Sequence, residues 1–89
     1  MDPSLEQFIG REVVLDAASM YVYLGRVRSI EQRYLVLADA DVHDLRDSTT
    51  TRERYVIEAR LHGVRPNRKS VSVDLSQIVS ISLLDDVID

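Results

Sequence analysis

The stretch LGRVRSIEQRYLVLAD, residues 24–39, decides the fold of this chain. It predicts two antiparallel strands that fold back on each other, with apolar and aromatic residues on both sides of a short turn. A glycine, Gly25, lies inside the first strand. A mid-strand glycine is typical of a sharp bend, because it leaves the inside of the curve without a side chain. We therefore expect a strongly bent sheet, with a simple bulge in a flat sheet as the alternative.

The flanking sequence predicts three more short strands. One lies in REVVLDAA, residues 11–18, and two lie in SVSVDLSQIVSISLL, residues 70–84, with DLSQ as a tight turn between them. A short N-terminal helix is expected before them, with Ser4 as its N-cap and Gly10 as its end. Five short strands without βαβ spacing predict a mainly β protein, a five-stranded, strongly bent antiparallel small barrel.

The segment STTTRERYVIEARLH, residues 48–62, fits a strand or a helix. As a strand it has an alternating apolar face. As a helix it has a capping box of Thr50 and Glu53, a stop at Gly63, and a buried stripe of Tyr55, Val56 and Ala59, extended by Leu61. The start and stop signals agree with each other, so we predict a helix.

Length and composition bound the class of protein. The chain has 89 residues and no cysteine. It is therefore expected to form one domain, residues 1–89, without a disulfide framework or a thiolate metal site. No apolar run approaches the length of a membrane span, and the N-terminus lacks the features of a signal peptide. We expect a cytoplasmic protein.

Charge is distributed unevenly along the chain. Residues 1–47 hold 5 Lys/Arg and 9 Asp/Glu, residues 48–69 hold 6 and 2, and residues 70–89 hold 0 and 4. The net charges of these segments are therefore −4, +4 and −4. The basic middle segment is the candidate for contact with nucleic acid, through Arg52, Arg54, Arg60, Arg65, Arg68 and Lys69. The alternative is a solvated surface that pairs with the acidic segments.

The residues after Gly25 resemble the Sm-like (LSm/Hfq-type) family. The Hfq-type signature is roughly G-x-I-x-S-F-D-Q-F-V-x-L-L, and residues 25–37 read GRVRSIEQRYLVL, which keeps the glycine, Ser29 and Gln32. The later signature Y-K-H-x-I falls on DLSQI, residues 74–78, where only the isoleucine is kept. The chain resembles a divergent bacterial member of this family, over residues 4–39 and 70–84, with an insertion at 43–69 between strands three and four.

The resemblance implies a homo-oligomeric ring that binds RNA and is not an enzyme, with no cofactor and no membrane partner. Family rings pair the fourth strand of one subunit with the fifth strand of the next, and the predicted strands SVSVDL and IVSISLL contain no lysine or proline to prevent pairing. The candidate interface residues are Val71, Val73, Ile78, Val79, Ile81 and Leu83. A ring scaffold that no longer binds RNA is the alternative function.

The family's uridine pocket is not carried over to this chain. Asp74, Leu75 and Ser76 occupy its place in the turn between strands four and five, and they offer no aromatic platform and no cation. Tyr34 is a candidate for base stacking, although a strand tyrosine is more often a core or interface side chain.

Asp39, Asp41 and His43 share a predicted strand face and form a weak candidate for a divalent cation; otherwise no metal site is predicted.

Overall fold

The computed structural model describes residues 3–47 and 49–89. The elements in chain order are α1 (Pro3–Glu6), β1 (Glu12–Ala17), β2 (Tyr21–Glu31), β3 (Tyr34–Asp44), α2 (Arg52–His62), β4 (Arg68–Asp74) and β5 (Ile78–Leu83). Single 3-10 turns lie at Leu45–Asp47, Leu75–Gln77 and Leu84–Asp86. All five predicted strands are present, although β2, β3 and β4 extend beyond the stretches that predict them. Neither helix in the described ranges is long and apolar enough to cross a membrane.

The five strands form one antiparallel sheet in the order β4-β3-β2-β1-β5. The two central hairpin strands, β2 and β3, have 11 residues each, whereas the others have 6 or 7. The longer strands can therefore pair along both halves of a bent sheet. The edge strands β4 and β5 are consecutive in the chain and are joined by a three-residue turn, as expected for a small barrel that is almost closed.

Gly25 allows β2 and β3 to approach each other closely at the bend. The pairing register of β2 against β3 shifts between Leu24 and Arg26. A Cβ atom built on Gly25 would lie 3.1 Å from Cβ of Ala40 and 3.3 Å from the carbonyl oxygen of Ala38. Both distances are shorter than ordinary van der Waals contact. The bent-barrel prediction is confirmed, and a close backbone approach explains the glycine.

Two hydrophobic clusters lie on opposite faces of β1 and β2. The barrel cluster consists of Val13, Leu15, Val27, Leu35, Leu37, Ala40 and Val73. The helix cluster joins the other face to α2 and consists of Val14, Val22, Leu24, Val56, Ala59 and Leu84. Because successive side chains of a strand point to opposite faces, Val13 and Val14 enter different clusters. β1 is therefore buried on both faces, and the second face depends on the insertion.

The segment that the sequence left open is a helix, α2. Its N-cap is Thr51, one residue after the predicted Thr50, and the Thr51 hydroxyl accepts a hydrogen bond from the backbone N–H of Arg54 at 3.1 Å. Gly63 ends the helix as predicted. It has a φ of 90°, and its N–H donates back to a carbonyl in the last turn.

The buried face of α2 is narrower than predicted. Val56 and Ala59 are buried and Tyr55 is half-buried, but Leu61 is 53% exposed. Five residues after Val56, Leu61 lies about 140° further around a helix of 3.6 residues per turn. The prediction that Leu61 extends the buried stripe is therefore wrong, and this side chain faces away from the sheet.

The N-terminal helix is shorter than the sequence suggests. α1 begins at Pro3, so Ser4 lies inside the helix rather than before it, and α1 ends before Gly10. Phe8 follows α1 and packs against the barrel cluster. Gly10 has a φ of 86° and its N–H donates to the carbonyl of Val27 at 2.7 Å. Gly10 therefore turns the chain into β1 instead of capping the helix.

The insertion is also shorter than predicted, because β3 continues to Asp44 and β4 begins at Arg68. The connection between these strands is residues 45–67. Its last residue, Asn67, holds it to β3: the Asn67 side chain both donates to and accepts from the backbone of Val42, at 3.0 Å each. The Asn67 side-chain amide thus continues the pairing of β3 with β4 beyond the strand.

Candidate nucleic-acid interface

Arg52 is the predicted RNA-binding cation that is most engaged within the chain. Its Nε donates to Asp16 on β1 at 2.6 Å, and its guanidinium also pairs with Glu53. Burial acts to lower the pKa of Arg52, but the two carboxylates hold it above its usual value. Asp16 also accepts a hydrogen bond from Ser80 on β5. Arg52 thus ties α2 to two strands, and RNA would have to displace Asp16 to reach it.

The other predicted cations are more accessible. Arg54 forms an i,i+4 ion pair with Glu58 at 3.5 Å, which is worth little at an exposed position. Four of the predicted RNA-binding cations form no ion pair with any residue of 3–47 or 49–89: Arg60, Arg65, Arg68 and Lys69. Arg60 lies on α2, Arg65 lies on the segment that leads into β4, and Arg68 and Lys69 begin β4. These four make up the unpaired basic group.

A groove of about 270 Å³ lies between the C-terminal half of α2 and β3, and Arg65 lines it. Tyr55 fixes one wall, because its hydroxyl donates to Asp41 and its ring stacks on His43 with the ring centroids 4.0 Å apart. Burial and the neighbouring Asp41 carboxylate raise the pKa of Tyr55, so the hydroxyl stays protonated. Glu58 and His62, which pair at 3.2 Å, also line the groove. The groove therefore places one unpaired cation beside polar groups.

The structure does not bring the weak metal-site candidates Asp39, Asp41 and His43 together as a set of ligands. Asp39 has a φ of 51°, a left-handed conformation at the register shift, and its carboxylate accepts from Arg26 at 3.3 Å. Asp41 and His43 instead contact Tyr55. Residues 3–47 and 49–89 contain no group of three or more His, Cys, Asp or Glu placed to hold a metal ion. The irregular β3 backbone breaks the alternation on which the hypothesis depended.

Two turns meet at one corner of the barrel. The β2–β3 turn and the 3-10 turn Leu75–Gln77 are joined by a hydrogen bond from the Leu75 N–H to the Arg33 carbonyl, at 2.8 Å, and by an ion pair of Arg33 with Asp74 at 3.2 Å. The Arg33 guanidinium lies 5.5 Å from the ring centroid of Tyr34, which is 39% exposed. Any base that stacks on Tyr34 would therefore also meet Arg33. Arg33 is not among the RNA-binding residues predicted from the sequence, although its position in the turn next to Tyr34 was a usable signal.

The contacts of the Asp74 carboxylate at this corner should make the stability of the protein depend on pH. Hydrogen bonds from the Ser76 N–H and hydroxyl, followed by the Arg33 ion pair, lower the pKa of Asp74 below its ordinary value of 3.8. A carboxylate whose pKa is lowered by folding stabilises the folded state at pH values above its unfolded-state pKa. This stabilisation is lost as the pH falls through the folded-state pKa. Between about pH 6 and about pH 3, we expect the urea midpoint to fall less for Asp74→Asn than for the unchanged protein. Asp89→Asn, at an exposed carboxylate that forms no ion pair with any residue of 3–47 or 49–89, should keep the original pH dependence, and identical curves for both variants would contradict the expectation.

The candidate interface residues lie on the two edge strands. Val73 is 4% exposed within the barrel cluster, and Val71, Ile78, Ile81 and Leu83 pack against that cluster. Only Val79 of this candidate set projects into solvent, with 71% exposed. Within the described chain β4 pairs only with β3, and β5 pairs only with β1. Each edge therefore offers one row of backbone groups to another strand, with little apolar side-chain surface.

Comparison with known proteins gives a structural answer and no sequence match. No protein family matches the sequence, and no curated protein matches it. An Sm protein of Pyrococcus abyssii, solved in complex with a uridine heptamer, superposes with a TM-score of 0.61 at 14% identity, over 93% of this chain and 99% of that one. A heptameric archaeal Sm protein superposes with a TM-score of 0.58 at 21% identity, over 90% of this chain and 94% of that one. The five-stranded bent sheet with its glycine bend and these two superpositions establish that the chain has the Sm-like fold.

Proposed function

We propose that this protein is a non-enzymatic RNA-binding module that assembles into a homo-oligomeric ring and contacts RNA through its basic insertion. The observation that carries the proposal is the unpaired basic group, Arg60, Arg65, Arg68 and Lys69, on an Sm-like fold. Cations that no carboxylate of the described chain neutralises are available to phosphates, and ring symmetry would repeat them in every subunit.

The edge strands support assembly. Strands β4 and β5 each have one side without a partner in the described chain. Residues 70–73 and 78–83 contain no charge and no proline, the usual devices that keep edges apart. One of the structural neighbours is heptameric, and a ring in which every edge pairs with the next subunit leaves no edge free.

The corner where the β2–β3 turn meets the turn Leu75–Gln77 is poorly suited to bind RNA, which favours binding through the insertion. Arg33 is engaged by Asp74, and Asp74 places a carboxylate where a phosphate would otherwise approach. The neighbour bound to uridine shows what that protein binds, whereas the accessible cations among the predicted residues of this chain lie on α2, in the segment after it and at the start of β4.

A ring scaffold that does not bind RNA is the second candidate. The net charge of −4 favours it, because a dedicated nucleic-acid binder is usually basic. The two functions differ in one measurable property, the affinity for single-stranded RNA and its dependence on salt.

We expect the double variant Arg60→Ala/Arg65→Ala to bind single-stranded RNA more weakly than the unchanged protein. Fluorescence anisotropy with a labelled RNA of about 15 nucleotides, from about 50 to about 200 mM salt, measures both affinity and its salt slope. Each phosphate contact in a single strand contributes about 0.7 to that slope, so the slope should fall by about 1.4 for each subunit that the RNA contacts. Neither residue lies on an edge strand, so the ring mass should not change.

A matched control is Arg11→Ala/Arg28→Ala, which removes two exposed cations outside the insertion. Loss of affinity in the insertion variant alone supports the proposed contact. Equal losses in both variants would place RNA elsewhere on the ring. No binding by the unchanged protein at about 50 mM salt would leave the scaffold as the function.

A further inference from the structure

Opposite charges without ion pairs lie at the ends of the two edge strands. Arg68 and Lys69 are the first residues of β4, and both are exposed. Asp85 and Asp86 lie in the 3-10 turn that follows β5, after the buried Leu84, and both are exposed. None of the four forms an ion pair with any residue of 3–47 or 49–89. The chain thus carries a basic end on one edge and an acidic end on the other, with neither neutralised internally.

Both charged ends are held in place by the fold. Arg68 pairs with Ala40 on β3, and the preceding Asn67 is hydrogen-bonded to Val42. On the acidic side, Leu84 is 3% exposed within the helix cluster and fixes the start of the turn that carries Asp85 and Asp86. Charges on ordered backbone lose less backbone entropy on pairing than charges on loose segments.

The direction of pairing decides which strand ends can meet, because the two edge strands have similar lengths. β4 has 7 residues and β5 has 6. If β5 of a second copy lies antiparallel along β4, the start of β4 lies opposite the end of β5, so Arg68 and Lys69 face Asp85 and Asp86. A parallel arrangement would place the same cations beside Ile78, where neighbouring residues 75–80 carry no charge. Charge complementarity therefore favours the antiparallel arrangement.

We propose that Arg68 and Lys69 of one copy form ion pairs with Asp85 and Asp86 of a second copy, and that these pairs set the orientation and register of edge-strand assembly. The proposal rests on the ring assembly of the proposed function and adds the residues that direct it. It also divides the unpaired basic group: Arg68 and Lys69 serve the interface, and Arg60 and Arg65 remain for RNA.

Charge reversal with mixing tests the proposal. The basic-end variant is Arg68→Glu/Lys69→Glu, and the acidic-end variant is Asp85→Lys/Asp86→Lys. Each variant places like charges at every interface, so we expect each to assemble about tenfold more weakly in sedimentation experiments at low salt. An equal mixture restores opposite charges at every interface if the two variants alternate, and should give mixed oligomers of even subunit number. The variant that carries all four substitutions again has opposite charges at every interface and should assemble by itself.

Arg28→Glu is the control: it reverses an exposed cation on β2, not on an edge strand, that forms no ion pair with any residue of 3–47 or 49–89, and it should leave assembly unchanged. Recovery on mixing shows that both single-end variants are folded. Assembly of both variants at the original strength would overturn the ion pairs and leave the ring intact. The ion pairs would also be overturned if both variants assemble weakly and neither mixing them nor combining all four substitutions restores assembly. A monomeric unchanged protein at every concentration would overturn the ring and these pairs together.

Discussion

Gly25→Val is expected to lower the free energy of unfolding by about 3 kcal/mol, the upper part of the usual range for overpacking. The reason is steric alone, because Gly25 does not have a positive φ. Its Cβ would lie 3.1 Å from Cβ and 3.2 Å from Cα of Ala40, and backbone cannot move as a flexible side chain can. Valine adds two methyl groups to this already crowded Cβ, so it should strain the bend more than alanine does. Urea unfolding followed by circular dichroism measures the loss.

Compensation at Ala40 separates this contact from a general effect on the strand. Gly25→Ala and Ala40→Gly should each destabilise the protein, and the double variant should cost about 1 kcal/mol less than the sum, since it removes the closest contact. Strict additivity, or a Gly25→Val protein as stable as the original, would show that the bend does not require the glycine.

Leu24→Ala is expected to cost about 3 kcal/mol, the range measured for buried leucines. Leu24 is fully buried in the helix cluster, where β2 and α2 meet with Val56 and Leu84. Truncation leaves a cavity between sheet and helix, and α2 loses part of the surface that holds it. Thermal and urea unfolding measure the stability, and the helical signal in circular dichroism follows α2.

Leu61→Ala removes the same atoms from the outer face of α2 and is the matched control. Leu61 is 53% exposed, so its truncation should change stability by less than about 0.5 kcal/mol. Equal effects of the two truncations would mean that α2 is not packed on the sheet as described.

The candidate site was only partly predictable from the sequence. Charge counting identified the insertion as basic, but it could not distinguish Arg52 from Arg60, because pairing with Asp16 depends on a contact across 36 positions of the chain. Likewise, alternation placed Asp39 beside Asp41, and a positive φ at the register shift separates them. Local pattern carries no information on such long-range contacts.

The sequence by itself determined the five strands, the glycine bend and the stop of α2 at Gly63, since these depend on side-chain period and backbone freedom, which are local properties. Only the tertiary structure decided that α2 covers the second face of β1, that Asn67 prolongs the β3–β4 pairing, and that Arg33 meets Asp74. These features depend on residues far apart in the chain, and their energies become favourable only once the barrel has brought them together.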